Sequence, residues 1–180
     1  ITIIDLKRGI DRAKVKQANF RRFNHKKEAL TAKGVRIFGP EATVAQDLEP
    51  EYITVVPHSP FAWVALQENN ALAKVNIRSG RVMKVMPLGY KDHSLAGNGI
   101  DASDKDGIIN IRPYDNVLGM YQPDAIASYR VFGRTYIVTA NEGDGRDYET
   151  FTDESKVGKL DLDPKAFPNA EDLQEKAALG

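Results

Sequence analysis

The 180-residue chain contains no cysteine, so a disulfide framework and a thiolate metal site are both excluded. No apolar run approaches the roughly 20 residues a helix needs to cross a bilayer. Neither a methionine nor a signal peptide precedes Ile1, which stands inside a strand-like run, and the chain reads as a piece of something larger. A GxSxG nucleophile elbow, a Walker A loop and a GxGxxG turn are all missing. The three histidines, His25, His58 and His93, form no HxH or HExxH pattern, which disfavours zinc. Charge of one sign is lacking as well, with 25 basic residues against 25 acidic ones.

A hydrophobic fraction of 42% suffices for a packed core in one or two small domains. The zero net charge hides an uneven distribution. Eleven Lys or Arg face two acids between Lys7 and Arg36, and eleven acids face five bases from Asn141 to Gly180. Such asymmetry fits either a polyanion-binding surface or solvated faces that attract each other, and the second reading is the commoner one. The basic run at Arg21, Arg22, Lys26 and Lys27 lacks exposed aromatics for base stacking, because Phe20 and Phe23 fall on its apolar face; no nucleic-acid partner is expected.

Periodicity predicts a mainly β chain with peripheral helices. ITIIDL is a β-rich run closed by Lys7-Arg8-Gly9. Phe20, Phe23, Lys27 and Leu30 recur at helical spacing, with Asn19 as a cap and Gly34 as a stop, so a helical insertion is expected at about 19–34. VRIFG reads as a buried strand or packed connector. YITVVP, FAWVAL, LAKVNI and RVMKVMPL then follow as four strands separated by Pro57-His58-Ser59-Pro60, Glu68-Asn69-Asn70 and Arg78-Ser79-Gly80. A four-stranded meander of this length has the size of one propeller blade. The C-terminal PNAEDLQEKAALG predicts a second helix at about 169–179, capped by Asn169.

An internal repeat supports the meander reading. Pro50 and Pro123 are separated by 73 residues, as are Trp63 and Tyr136, and AWVALQEN matches TYIVTANE with a one-residue slip. The spacing exceeds the roughly 40–45 residues of one blade. The surplus is a polar insertion at about 89–121, of a length that is usually functional or carries small elements of its own.

GVRIFGPEATVAQDLEPEYITV, ALQENNALAKVNI, PLGYKDHSLAGNGIDASDKDGIINI, MYQPDAIASY and VTANEGDGRDY together resemble the choice-of-anchor I family. That family comprises bacterial secreted or cell-surface proteins, often labelled mesenchyme-specific cell-surface glycoprotein-like, and some of its members are labelled alkaline phosphatase. The resemblance implies a β-propeller of YVTN-like blades, exported and anchored by variable signals. Residues 1–180 would then be a fragment of one larger propeller domain, a partial propeller of about two to three blades. Its partners would be the remaining blades, or a second copy by self-association. Against the family pattern, Pro57-His58-Ser59-Pro60 replaces a two-residue Asp-Gly turn. Gly145 replaces a commoner alanine, which is expected to loosen the acidic loop.

Two loops carry candidate chemistry. In IDASDKDGIIN, Asp101, Asp104 and Asp106 offer hard oxygen ligands suited to Ca2+ or another divalent cation. An EF-hand fails, because its register would put Ala102 and Pro113 at ligand positions. In NEGDGRDY, Glu142, Asp144 and Asp147 could hold a cation, while Asn141 and Arg146 could bind a ligand, the guanidinium gripping phosphate or carboxylate. Against this stands a polar turn in which Arg146 pairs with neighbouring acids. His93 adjoins Asp92 and the acidic insertion and is the one histidine worth testing, although a solvated loop histidine is the commoner case. Ser94 and Ser103 read as caps. Three functions remain open at this point. The first is a surface binding or adhesion module rigidified by calcium, with an unknown surface ligand. The second is a metal-dependent phosphoesterase, alkaline phosphatase-like or phytase-like, acting on a phosphate ester. The third is a purely structural repeat.

Overall fold

The computed structural model describes residues 1–103 and 107–175. They fall into two compact units: unit 1 is Ile1–Gly89 with Tyr121–Asp144, and unit 2 is Tyr90–Met120 with Gly145–Gly180. In unit 1, β1 (Thr2–Asp5) and β2 (Lys14–Gln17) flank a 3-10 turn at Ile10–Arg12. A second 3-10 turn, Arg21–Lys26, runs into α1 (Lys27–Thr31), and α2 (Val44–Asp47) follows. The meander is β3 (Ile53–Val55), β4 (Phe61–Leu66), β5 (Ala71–Asn76) and β6 (Arg81–Pro87). In unit 2, β7 (Tyr90–Asp92) pairs with β8 (Leu118–Met120). The chain returns to unit 1 as β9 (Pro123–Val131) and β10 (Arg134–Asn141). Unit 2 then resumes with β11 (Asp147–Tyr148), β12 (Phe151–Thr152), a 3-10 turn at Val157–Lys159 and α3 (Ala170–Glu175). All pairings are antiparallel, and no described sheet closes into a barrel.

The alternating pattern of the meander decides how unit 1 layers. Val64 and Leu66 of β4, with Ala71, Ala73 and Val75 of β5, pack beneath Phe20, Phe23, Leu30, Val35, Ile37, Val44 and Leu48. From the other face Trp63, Ala65 and Leu72 meet Ile126 and Ile137 of the β9–β10 hairpin. The meander is therefore a middle layer with apolar side chains on both faces, which is why its strands read as near-continuous hydrophobic runs. A register shift between Lys74 and Val75 lets Val82 and Val85 of β6 reach the first core. Lys74 lays its ammonium over the Phe61 ring at 4.2 Å and over Trp63 at 5.8 Å, so the inner charge of β5 is held against aromatic faces.

The 19–34 segment differs from the expected single α-helix. It is 3-10 over Arg21–Lys26 and α-helical only over Lys27–Thr31. Phe20 and Phe23 are three residues apart and both buried, and a 3-10 turn eclipses positions i and i+3. Asn19 does act near the start, its side-chain oxygen accepting from the Arg21 N–H at 3.1 Å. VRIFG is a connector without strand pairing, its Val35 and Ile37 buried. The polar segment from Tyr90 to Met120 belongs to unit 2. Of the C-terminal helix, Ala170–Glu175 is described, and 176–180 lie outside the described residues.

The repeat survives as β3–β4 and β9–β10, with different turns. Ile53 pairs with Val64, whereas Ile126 pairs with Thr139. The second hairpin closes in two residues, Phe132 (φ 48) and Gly133 (φ 77), the double positive φ that a type I′ turn requires. Phe132 is 99% exposed, so its ring gains nothing for the strain of that backbone. Phe132→Asn should stabilise unit 1 by about 1 kcal/mol, because asparagine tolerates this region. Urea denaturation checks it, and an unchanged midpoint would refute the strain.

Candidate functional site

The most densely bonded polar group in unit 1 is one that the sequence presents as an ordinary turn. Gln67, Glu68, Asn69 and Asn70 join β4 to β5 and are all buried, Asn69 and Asn70 with no accessible surface. Asn69 Nδ2 donates to the backbone oxygens of Arg36 (2.7 Å) and Asp47 (3.1 Å) and to Asp47 Oδ2 (3.2 Å). Its Oδ1 accepts from Glu49 N at 3.0 Å, and its backbone oxygen accepts from Arg36 N at 2.9 Å. Asn70, at φ 49, donates through Nδ2 to the Gly89 oxygen (2.8 Å). Its Oδ1 accepts from Tyr121 N (3.0 Å) and Gln122 N (3.3 Å). Gly89 and Tyr121 are where the chain leaves and re-enters unit 1, so one carboxamide clamps both ends of the excursion. Only a side chain with a donor and an acceptor on one planar group can do this at both positions.

The acidic loop rests on this turn. Gln67 Nε2 donates to Glu142 Oε2 at 3.0 Å, and the Glu142 and Gly143 N–H groups donate to the Gln122 oxygen at 3.2 and 3.4 Å. Gln122, itself buried, donates from Nε2 to the Asp144 backbone oxygen. Asn141, Glu142 and Asp144 are exposed and belong to unit 1; Gly145, Arg146 and Asp147 belong to unit 2. Asn141 ends β10 opposite Pro123 at a register shift.

In unit 2 the loop makes a small closed ring. Arg146 N donates to Asp153 Oδ1 at 2.6 Å, and Asp153 N returns a bond to the Arg146 oxygen at 2.9 Å. Arg146 is only 3% exposed, and Asp147 pairs with Thr152 as an exposed residue. Gly145 tightens the loop where the family pattern suggested loosening. A Cβ there would stand 2.6 Å from Glu154 Cγ and 2.7 Å from Asp153 Oδ1, and its N–H donates to Glu154 Oε1 at 3.1 Å.

His93 is buried rather than solvated. Its Nδ1 lies 2.6 Å from the Asn98 oxygen, and a carbonyl partner requires a proton on Nδ1. Nε2 faces Gly119, where an added Cβ would come within 2.6 Å. Asn98 Nδ2 donates to the Asp92 oxygen at 2.8 Å. The Ser94 hydroxyl and N–H donate to Asp92 Oδ1 at 2.7 and 2.9 Å and hold that carboxyl below its ordinary range; here Asp92 is the capping side chain and Ser94 the donor. Asp101 is exposed and accepts from Asn110 N at 3.3 Å. Asp104 and Asp106 lie outside the described residues. Among the described residues, no three His, Asp or Glu side chains converge in an arrangement that could hold a metal ion.

One titration follows from the buried turn. Partial burial, then the Glu68 carboxyl and its hydrogen bond, then Glu49 and Asp124 push Glu51 from its ordinary 4.5 to about 7. The folded pKa is the higher one, so the contribution is fully present below pH 4.5 and is lost as pH rises through about 7. Because Glu51 is exposed, solvent screening reduces the effect to about 1 kcal/mol. Unit 1 should therefore be more stable at pH 5 than at pH 8, and Glu51→Gln should flatten that difference; equal slopes in both proteins would contradict the assignment.

Comparison with known proteins places the chain. The choice-of-anchor I domain model matches residues 1–180. A mesenchyme-specific cell surface glycoprotein of Strongylocentrotus purpuratus is 36% identical over 139 residues, covering 72% of this chain and 18% of that protein. The chain thus spans under a fifth of the length of the curated relative it matches. No solved structure matches. The chain belongs to the choice-of-anchor I family.

Proposed function

We propose that the chain is part of an extracellular, cell-surface binding module built from repeated propeller-like sheets, with the remaining sheets supplied by the longer protein. The observation that carries this reading is the unequal completion of the repeat. The central strands β4 and β5 of the meander are covered on both faces, whereas β9–β10 packs one face on them and turns Tyr129, Val131, Tyr136 and Val138 outward. Tyr129 and Tyr136 stack at 5.2 Å between centroids, an ordered apolar face of the kind that receives a further sheet. The likeness to a cell surface glycoprotein of Strongylocentrotus purpuratus supports the location. No described helix is long and apolar enough to cross a membrane.

The phosphoesterase reading draws on the same acidic loop, and calcium on that loop and the Asp101 segment. Both are decided on the full-length protein. Antibody labelling of intact cells should detect it without permeabilisation, and a generic phosphate ester supplied with divalent cations should not be turned over. Labelling only after permeabilisation would refute the surface assignment. Turnover abolished by Asp144→Asn, with the melting curve unchanged, would replace binding by catalysis.

A further inference from the structure

We infer that the β1–β2 end of unit 1 is a binding groove for a linear sulfated polysaccharide. Two adjoining cavities, of about 450 and 210 Å3, share Asp5, Lys7 and Lys14 in their walls. Lys16 and Arg78 line the first, and Arg8 and Arg12 the second. Six cations thus border one continuous depression against a single acid. Asp5 Oδ1 accepts from the Lys7 N–H at 3.0 Å, and its one negative charge against the six cations leaves the depression with a net of five positive charges.

The fold, rather than a run of basic sequence, assembles this line. Lys14 and Lys16 alternate along β2, directly opposite Asp5 and Ile3 of β1. Lys7 and Arg8 occupy the turn closed by Gly9 N to the Leu6 oxygen at 2.9 Å, and Arg12 ends the 3-10 turn that follows. Arg78 comes from the β5–β6 turn, whose backbone oxygen at that residue accepts from Lys16 Nζ. That bond fixes the far wall of the first cavity. The cations are exposed and line adjoining cavities, so an extended polyanion gains from each by releasing its own counterions.

The class of polyanion follows from what the groove lacks. Its lining contains no Phe, Tyr or Trp, so nucleic acid bases would find no stacking platform. Sulfate esters on a sugar chain need only the cations. This choice of a polysaccharide draws on the extracellular reading, whereas the groove and its charge stand without it.

Fluorescence anisotropy of the 180-residue chain tests the proposal with a labelled heparin hexasaccharide, a hyaluronate hexasaccharide and an oligothymidylate of similar length. The heparin probe should bind at least tenfold tighter than either of the others, with log K falling linearly against log salt. Replacing Lys7, Arg12 and Lys14 by Ala should weaken it by ~100-fold at physiological salt, on the order of fivefold per lost contact. Replacing Lys33, Lys84 and Lys91 by Ala removes the same net charge from exposed positions elsewhere and should leave binding within about twofold. Melting curves confirm that both variants fold. Equal losses in the two variants would reduce the effect to net charge and overturn the groove. Oligothymidylate binding as tightly as heparin would overturn the class, and no heparin binding at low salt would overturn both. Intact-cell labelling is an independent readout, so either reading can fail alone.

Discussion

Replacing Asn69 by Leu should destabilise unit 1 by about 4 kcal/mol, a large share of the 5–15 kcal/mol that holds a typical domain together. The two side chains are similar in size, so the loss comes from partners left behind. The Arg36 and Asp47 backbone oxygens, Asp47 Oδ2 and the Glu49 N–H all bond the Asn69 carboxamide, and each buried group stranded without water costs ~1–3 kcal/mol. Asn69→Asp would keep the acceptor for Glu49 N and bring a carboxylate oxygen toward Asp47, so it should be no better than Leu at neutral pH. Urea denaturation reads both variants. A loss below about 0.5 kcal/mol for Asn69→Leu would show that the carboxamide is replaceable and that the turn is no hub.

Gly119→Ala should cost unit 2 about 2–3 kcal/mol, by crowding a ring that cannot yield. The new Cβ would meet His93 Nε2 at 2.6 Å and Cδ2 at 3.3 Å. That imidazole is buried and tied at Nδ1 to Asn98, so relief requires moving the 92–98 loop or the β7–β8 pairing. In a His93→Ser background the same substitution should cost less than about 1 kcal/mol, since the obstructing ring is gone. Thermal melts of the four proteins in this cycle give the coupling. Additive losses would mean that Gly119 and His93 act separately and that the histidine is free to turn.

The central strands β4 and β5 were legible because burial on both faces writes itself as continuous Val, Ala and Leu, and all four strands of the meander because the intervening turns carry Pro, Asn and Gly. β2 was not legible: KVKQ is exposed at every position, so no buried side supplies an alternation to read. The 19–34 segment showed its apolar spacing but not its tightness, since Phe20 and Phe23 suit a 3-10 turn and an α-helix alike.

The acidic loop was found by composition, and its geometry was not. Arg146 looked like a surface grip because arginine usually stays wet, yet it is buried beside Asp153. The Gln67–Asn70 turn reads as polar punctuation in the sequence, and composition cannot distinguish a solvated turn from one whose carboxamides are bonded inside. The available signal was two successive asparagines without a glycine at a tight β-turn. Asparagine there accepts positive φ at Asn70 while offering a donor and an acceptor to other segments. The charge asymmetry of the first 36 residues was visible, but only the β1–β2 pairing lines those cations along one depression.

The most direct test of the buried polar turn is native-state hydrogen exchange at four amides. Arg36 N–H and Glu49 N–H donate to Asn69, while Leu88 N–H and Tyr121 N–H donate to Asn70. None of the four lies in a helix, and each donates its N–H to this turn. They should exchange as slowly as the Ala65 amide at the end of β4, through opening of the whole of unit 1. Exchange of these four at the rate of exposed loop amides, with Ala65 still protected, would contradict the turn's role as the point that ties unit 1 together.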